Sequence, residues 1–224
     1  LFIDTEAEGL VDLGNVVYDG QGNIWINEIE GCRVWQYNLA GRLIRVLGET
    51  EPGFEKGCVP FDEVLFNWIY DLRVGPTGEV YVLDSKNFSV RRIDLRDHTV
   101  TTLVGTGKPG YSGDGGPAAK ATLGSDPEQD FDGPYSLSVD EWGNLYIGDT
   151  WNHVVRRVDA RTHRISTIAG HPDVTPGVRN DPSEVDPLKL NFPKICSLDY
   201  YAGRLYVPDD CGDLVVLEVA VQPD

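Results

Sequence analysis

The 224-residue sequence contains no methionine and few basic residues, only four histidines and only four cysteines. Its 19 lysine and arginine residues stand against 36 aspartate and glutamate residues, so the formal net charge is −17 at pH 7. A surface this acidic repels phosphate backbones, and we therefore expect no nucleic-acid partner. No apolar run approaches the roughly 18 residues that a membrane-spanning helix needs, so we expect no membrane insertion.

The motifs of several common enzyme sites are also missing. No Cys-x-x-Cys spacing exists, which argues against a redox motif or a zinc knuckle. Gly113–Gly116 is rich in glycine but lacks the lysine and the strand-to-helix context of a phosphate-binding loop. No Gly-x-Ser-x-Gly nucleophile elbow is present, and the four histidines fall at positions that do not converge. These absences favour a function without catalysis.

One five-residue phrase recurs along the chain at intervals of about 60 residues. Each copy consists of glycine, a variable residue and then an aliphatic, an aromatic and a second aliphatic residue. The copies are Gly22–Ile26, Gly78–Val82, Gly143–Ile147 and Gly203–Val207. Recurrence at such a period indicates one supersecondary unit that is repeated along the chain.

The third copy shows most clearly what the unit is. Strand-like segments on both sides of Asp140–Gly143 are followed by His153–Val158 and Arg164–Ile168, so that four short strands fall within about 40 residues. Four antiparallel strands followed by a loop form one blade of a β-propeller. We predict a single all-β domain, 1–224, in which the fourth blade lacks a clear fourth strand. The predicted blades span roughly 10–58, 67–123, 133–187 and 193–224.

Two of these copies carry a family resemblance. The segments Asn87–Asp94 and Asn152–Asp159, with Thr102–Gly105 and Thr167–Gly170, resemble NHL repeats. The loop Gly113–Leu123 is similar to the inter-blade loop of bacterial NHL proteins. The resemblance covers nearly the whole chain, but it is looser in the first and fourth copies. It implies a propeller of NHL-type four-stranded blades, of which this chain supplies about four rather than the roughly six of most NHL rings.

The number of blades leaves three arrangements open. The segment 1–6, which contains the strand-like Leu1–Thr5, could complete the fourth blade and close a small four-bladed ring. Alternatively, the chain is part of a larger propeller, or several chains assemble through their open blade edges. The absence of methionine at position 1 and the hydrophobic start favour a processed or truncated chain.

The four cysteines form two local pairs in the sequence, Cys32 with Cys58 and Cys196 with Cys211. We predict that each pair forms a disulfide within one of the two looser copies, although four cysteines allow three connectivities. Disulfides would indicate a secreted or cell-surface protein. The alternative is four thiols in a cytosolic protein.

Carboxylates recur where the second strand of each copy ends. These residues are Glu28, Asp84, Asp149 and Asp209. If they converge at the mouth of a central channel they suit calcium, which takes six to eight oxygen ligands, and six-bladed calcium-dependent lactonases and esterases use a site of this general kind. Alternatively, each carboxylate caps a turn in its own blade, as aspartate does at many turns. Calcium is the one cofactor that the sequence suggests.

Two long polar segments, 126–132 and 173–187, are the predicted binding loops, because functional residues concentrate in loops on a rigid scaffold. The candidate binding residues are Tyr111, Asp130, Phe131, Asp132, Asp173 and Asp186. We predict an extracellular, non-catalytic module that recognises a protein, peptide or glycan through its loop face. The alternatives are a calcium-dependent hydrolase or lyase, and a structural module that self-assembles through open blade edges.

Overall fold

Antiparallel strands make up most of the regular structure in the computed structural model, which describes residues 3–125, 133–174, 178, 180–181 and 186–219. These residues form sixteen strands in four sheets, together with four short 3-10 turns. None of the helical segments in the described ranges has the length and apolarity needed to cross a membrane. The chain divides into two units, residues 1–108 and 109–224, with two sheets in each. The predicted all-β class is confirmed.

The first sheet of unit 1 has four antiparallel strands in sequence order. They are β1 (Leu13–Tyr18), β2 (Asn23–Glu28), β3 (Val34–Asn38) and β4 (Leu43–Leu47). The turn from β1 to β2 requires a left-handed residue, which Gly22 supplies with a φ of 98°. The Asp19 carboxylate accepts hydrogen bonds from the backbone N–H groups of Gln21 and Asn23 at 2.8 and 3.0 Å. The recurring glycine phrase is therefore a turn followed by the second strand of a blade.

The second sheet of unit 1 repeats this pattern and adds a fifth strand at its outer edge. The strands are β5 (Cys58–Pro60), β6 (Ile69–Val74), β7 (Val80–Asp84), β8 (Ser89–Asp94) and β9 (Thr99–Val104). The sheet order is β5-β9-β8-β7-β6, so β5 pairs with the outermost strand β9. Every residue of β7 is buried, which explains its continuous run of apolar residues.

The third sheet, in unit 2, again has four antiparallel strands. They are β10 (Ser136–Val139), β11 (Leu145–Asp149), β12 (Val154–Val158) and β13 (Ile165–Gly170). Its outer edge is also covered, because the loop residue Pro117 forms an antiparallel bridge with Arg164. The backbone of Gly115 and Gly116 exchanges two hydrogen bonds with Ile165, of 2.8 and 3.1 Å. Blades two and three therefore both have a loop segment hydrogen-bonded to the outermost strand, a short strand in blade two and a turn in blade three.

The fourth sheet has only three strands among the described residues. They are β14 (Asp199–Tyr201), β15 (Arg204–Pro208) and β16 (Leu214–Glu218). One face of this sheet packs on the third sheet, in a core that includes Tyr146, Val155, Phe192, Leu205 and Leu217. Among the described residues, no fourth strand follows β16 in this sheet.

The segment that was considered as a closing strand contacts the first blade of its own unit. Leu1 and Phe2 lie outside the described residues, and Ile3 packs against the cluster that contains Ile26 and Trp35. The backbone N–H of Leu10 donates to the carbonyl of Thr5 at 2.9 Å. The described part, residues 3–5, forms no strand.

All four cysteines, which lie in described ranges, are free thiols, so the structure does not support the two predicted disulfides. Cys32 is buried, where its thiol donates to the carbonyl of Glu30 at 3.2 Å and accepts from the N–H of Trp68 at 3.4 Å. Cys58 lies exposed in β5. Because the secreted or cell-surface location was inferred from disulfides, it stays a prediction.

Candidate functional site

The carboxylate that ends the second strand of blade two lies at the centre of a buried polar cluster. Asp84 accepts hydrogen bonds from the backbone N–H of Asn67 at 2.8 Å and from the Asn87 amide at 2.9 Å, and it pairs with Arg91 at 3.2 Å. The side chains of Asp84 and Arg91 are fully buried. Burial raises the pKa of Asp84 to about 6, although Arg91 and Asn87 act in the opposite direction.

This cluster also holds the loop that leads into blade two. The Asn87 amide donates to the carbonyl of Gly53 at 2.7 Å, and Arg91 donates to the carbonyl of Glu55 at 3.0 Å. The Arg91 guanidinium also lies over the ring of Phe54, 5.4 Å from its centre. The cluster therefore joins the second strand, the third strand and the incoming loop of one blade.

Blade three repeats the cluster around Asp149. Its carboxylate accepts from the N–H of Gly124 at 2.7 Å and from the Asn152 amide at 3.0 Å, and Arg156 lies 3.6 Å away. Arg156 also donates to the Asp114 carboxylate at 2.7 Å. Burial raises the pKa of Asp149 to about 6. The recurrence of aspartate, asparagine and arginine at the same spacing in two blades indicates a structural clamp.

The first and fourth blades differ from this scheme. Glu28 accepts from the N–H of Val11 at 2.7 Å and forms a bidentate pair with Arg33 at 2.5 and 2.8 Å. Among the described residues, Asp209 accepts hydrogen bonds from the backbone N–H groups of Cys211 and Asp213 alone, at 2.9 and 3.0 Å. Its Oδ2 atom is buried without a hydrogen-bond partner among the described residues, and burial raises the pKa of this carboxyl.

Each of the four predicted calcium ligands thus accepts hydrogen bonds within its own blade, as expected for the turn-cap alternative. Within the described ranges, no three histidine, cysteine, aspartate or glutamate side chains are grouped to hold a metal ion. The oxygens of Asp84 and Asp149 face amide and guanidinium donors, which a cation would have to displace. The calcium site therefore stays a prediction.

Unit 2 contains a groove of about 760 Å³ beside β16. Its wall is β16 together with the next residue, Val219, and its apolar floor includes Ile168 and Leu190. Polar side chains form the rim. They are Arg157, Asn180, Asp181, Asp213 and Glu218. A cavity of this size with an apolar floor and a polar rim has the character of a ligand-binding site. We call it the β16 groove.

The predicted binding residues fall in different places. Tyr111 is 39% exposed, but its hydroxyl bonds to Thr167 at 2.8 Å and its ring lies under Arg156, so it belongs to the blade-three clamp. Asp173 is exposed, and Asp186 accepts from the N–H of Leu188 at 3.1 Å, next to the groove residue Pro187. Three further candidates, Asp130, Phe131 and Asp132, lie outside the described residues.

None of the β16 residues was among the predicted site residues. Leu214 and Val216 look like ordinary strand residues, yet they are 62% and 45% exposed. The available signal was indirect: within residues 1–224, no fourth-strand pattern follows the third strand of the fourth copy. Part of the predicted binding loop 173–187 does contact the groove, because Asn180, Asp181 and Pro187 line it.

No protein-family model matches the chain. It is 31% identical to the NHL repeat-containing protein 2 of Bos taurus over 106 residues, which are 43% of this chain and 13% of that protein. It is 29% identical to the protein SUPPRESSOR OF QUENCHING 1, chloroplastic, of Arabidopsis thaliana over 151 residues, which are 64% of this chain and 13% of that protein. The chain thus spans a small part of the length of these relatives.

Solved structures show the same fold at low sequence identity. A protein of unknown function from Bacteroides thetaiotaomicron aligns with 91% of this chain and 46% of its own, with a TM-score of 0.65 and 19% identity. An auxiliary nutrient binding protein from Bacteroides ovatus aligns with 90% of this chain and 46% of its own, with a TM-score of 0.60 and 17% identity. The repeated blade sheets and these similarities show that the chain has a β-propeller fold, and its sequence is similar to that of an NHL repeat-containing protein over 106 residues.

Proposed function

We propose that the chain is a non-catalytic binding module that recognises a protein, peptide or glycan through the β16 groove. The observation that carries this proposal is the groove itself, with an apolar floor beneath a rim of carboxylate, amide and guanidinium groups. When a ligand removes exposed apolar residues from water, the free energy of the complex falls, which favours binding. The auxiliary nutrient binding proteins of similar fold are consistent with a binding role.

Rigidity supports the same conclusion. The groove wall β16 is hydrogen-bonded to β15 over five residue pairs, from Arg204 with Glu218 to Pro208 with Leu214. The floor residue Leu190 packs in the core of unit 2 with Phe192 and Ile195. A preformed site of this kind loses little conformational entropy when a ligand binds. This property suits a module that binds a ligand without catalysing a reaction.

The proposal can be tested with two probe collections, a random peptide library displayed on phage and a printed glycan array. Both are screened against the purified chain and against the double variant Leu214→Gln/Val216→Gln, which makes the groove wall polar. The matched control is Val16→Gln/Tyr18→Gln, which alters two similarly exposed residues of β1 in unit 1.

We expect ligands whose dissociation constant rises at least tenfold with the groove variant and less than twofold with the control. Circular dichroism confirms that both variants fold. Ligands that tolerate the groove variant as well as the wild type would overturn the proposal, and so would the recovery of no ligand at all.

A further inference from the structure

The outer edge of β16 differs from the corresponding edge in every other sheet. In the first three sheets the third strand pairs antiparallel with a fourth, as β3 with β4, β8 with β9 and β12 with β13. In the fourth sheet no described residue pairs with β16 on the side away from β15. An unpaired edge is a ready template for another extended chain.

Alternate residues of β16 direct their backbone N–H and C=O groups towards this edge. Asp213 accepts a hydrogen bond from the N–H of Asp209, and Val219 donates to the carbonyl of Gly203, so both residues direct their backbone groups to the β15 side. In an antiparallel pair, the N–H and C=O of one residue point to the same side and those of the next residue to the other. The backbone groups of Leu214, Val216 and Glu218 therefore point to the open edge.

The β16 groove lies along this edge and has the length of a strand. It is lined by six consecutive residues, Leu214 to Val219. At about 3.3 Å per residue this is roughly 17–20 Å, the usual length of a β-strand. The groove thus has the length, the apolar lining and the backbone groups that an added strand requires.

Elsewhere the chain covers blade edges in the same manner. β5 adds antiparallel to β9 in unit 1, and the loop at Pro117 bridges antiparallel to Arg164 in unit 2. The β5 segment is a short strand, whereas the segment at Pro117 is a turn that forms a single bridge. Backbone pairing of a loop segment with an outer strand therefore occurs in two of these blades, and in blade two it takes the form of an added strand.

The charges around β16 define the chemistry of the occupant. Val215 pairs with Val207, the ladder position at which Arg91 pairs with Val82 in blade two and Arg156 with Ile147 in blade three. The fourth blade thus lacks the arginine that pairs with the second-strand carboxylate.

The carboxylates on this side are concentrated near one end of β16. Asp209, with its unbonded Oδ2, accepts a hydrogen bond from the N–H of the groove residue Asp213, and Asp181 is a second acidic residue of the rim. A basic side chain near this end would meet an excess of negative charge in a partly desolvated site.

We propose that the β16 edge binds an extended, amphipathic peptide segment carrying lysine or arginine, which adds antiparallel as the fourth strand of the blade. This inference rests on the proposed function and specifies its ligand and binding mode. The main-chain hydrogen bonds supply affinity, and the groove selects alternate apolar side chains, as in other β-augmentation complexes. The basic residues meet the carboxylates near Asp213.

Synthetic peptides that correspond to β4 and β9, the fourth strands of blades one and two, provide matched probes. The synthetic peptide of residues 41–48 includes β4 and carries Arg42 and Arg45, whereas the peptide of residues 98–105 includes β9 and carries no lysine or arginine. We expect fluorescence anisotropy to show that peptide 41–48 binds the full chain at least tenfold more tightly than peptide 98–105. Raising sodium chloride from 50 to 500 mM should reduce this difference.

The backbone contribution is tested by Val216→Pro, which removes an N–H that points to the open edge and leaves the β15 ladder intact. We expect at least a tenfold loss of peptide binding, against no more than threefold for Val216→Ala, which keeps the N–H. A peptide of residues 41–48 with Ile44→Pro and Leu47→Pro removes one N–H from each edge of the probe. It should also lose at least tenfold, and this test does not depend on the folding of a protein variant.

Other outcomes contradict the proposal in distinguishable ways. If the proline substitutions leave binding unchanged, strand addition is wrong, although ligands from the library screen that depend on Leu214 and Val216 would still support a groove-binding module. If sedimentation shows a dimer that Val216→Pro dissociates, a second copy of the chain occupies the edge and a basic peptide is not the partner. Equal binding of the two peptides would refute the charge requirement.

Discussion

Arg156 and Arg157 are adjacent in β12 but lie in opposite environments. The Arg156 side chain is fully buried beside Asp149, whereas the Arg157 side chain is 24% exposed and pairs with Asp159 at 3.5 Å. Removing one partner of a buried pair leaves an uncompensated charge, so we expect Arg156→Ala to lower the free energy of unfolding by about 3–5 kcal/mol. We expect Arg157→Ala to cost less than about 1 kcal/mol.

Urea denaturation followed by circular dichroism measures both costs, and Arg157→Ala serves as the control for the loss of an arginine from this strand. Similar losses of unfolding free energy for the two variants would show that the buried pair of Arg156 with Asp149 does not stabilise the blade.

The carboxyl of Asp149 should make stability depend on pH. Because burial raises its pKa from 3.8 to about 6 in the folded chain, the folded state holds a proton that the unfolded state has released between these values. The contribution of the Asp149 carboxyl to the free energy of unfolding is thus fully present below about pH 4 and is lost as the pH rises through about 6. Asp149→Asn removes the titration.

We therefore expect the free energy of unfolding of the wild type, relative to Asp149→Asn, to fall by up to about 3 kcal/mol between pH 4 and 7. Denaturation curves at several pH values measure this difference. A difference that grows with pH would mean that pairing with Arg156 outweighs burial and lowers the pKa instead.

At the scale of the blade, glycine is required where the fourth strand ends. Gly170 has a φ of 80°, and a Cβ atom there would overlap the carbonyl oxygen of His153. Gly105 repeats the geometry in blade two, where a Cβ would overlap the carbonyl of Phe88. The glycine thus lets the end of the fourth strand approach the start of the third.

Gly203 provides a matched comparison, because its φ is 82° but a Cβ there would have no described atom within 4 Å. We expect Gly203→Ala to cost about 1–2 kcal/mol for the left-handed backbone alone. Gly170→Ala should cost a further 1–3 kcal/mol or so, because it also overpacks the strand contact. Thermal or urea denaturation of both variants measures the difference, and equal costs would contradict the steric role of this position.

At the scale of the whole molecule, the net charge of −17 makes repulsion between carboxylates a general destabilising force. We expect sodium chloride to raise the melting temperature, because salt screens this repulsion. Calcium chloride at equal ionic strength should give the same increase, since Asp84 and Asp149 already accept hydrogen bonds from amide and guanidinium groups. Differential scanning fluorimetry measures both effects. An additional increase with calcium that EDTA reverses would reveal a calcium site.

Much of the fold was predictable because it is local and repeated. The glycine phrase fixes a tight turn and the strand after it, and alternation of apolar residues defines the neighbouring strands. Since each blade is built from strands adjacent in sequence, four copies of the phrase were enough to predict four sheets.

The covering segments and the site were less predictable, because they depend on contacts between residues distant in sequence. β5 is three residues long and has no strand pattern of its own in the sequence; it is a strand only because it pairs with β9. Tyr111 was proposed as a binding residue, but in the structure Arg156, 45 positions later, lies over its ring. Neither contact leaves a local pattern in the sequence.

The sequence by itself thus determined the blade and its repetition, because turns, alternation and glycine conformations act over a few residues. Only the tertiary structure decided what each side chain faces. It placed Asp84 and Asp149 against buried arginines, gave Asp209 no ion-pair partner within the described ranges and left Val216 on an open edge. These differences arise from packing between strands and loops, which the repeated phrase does not encode.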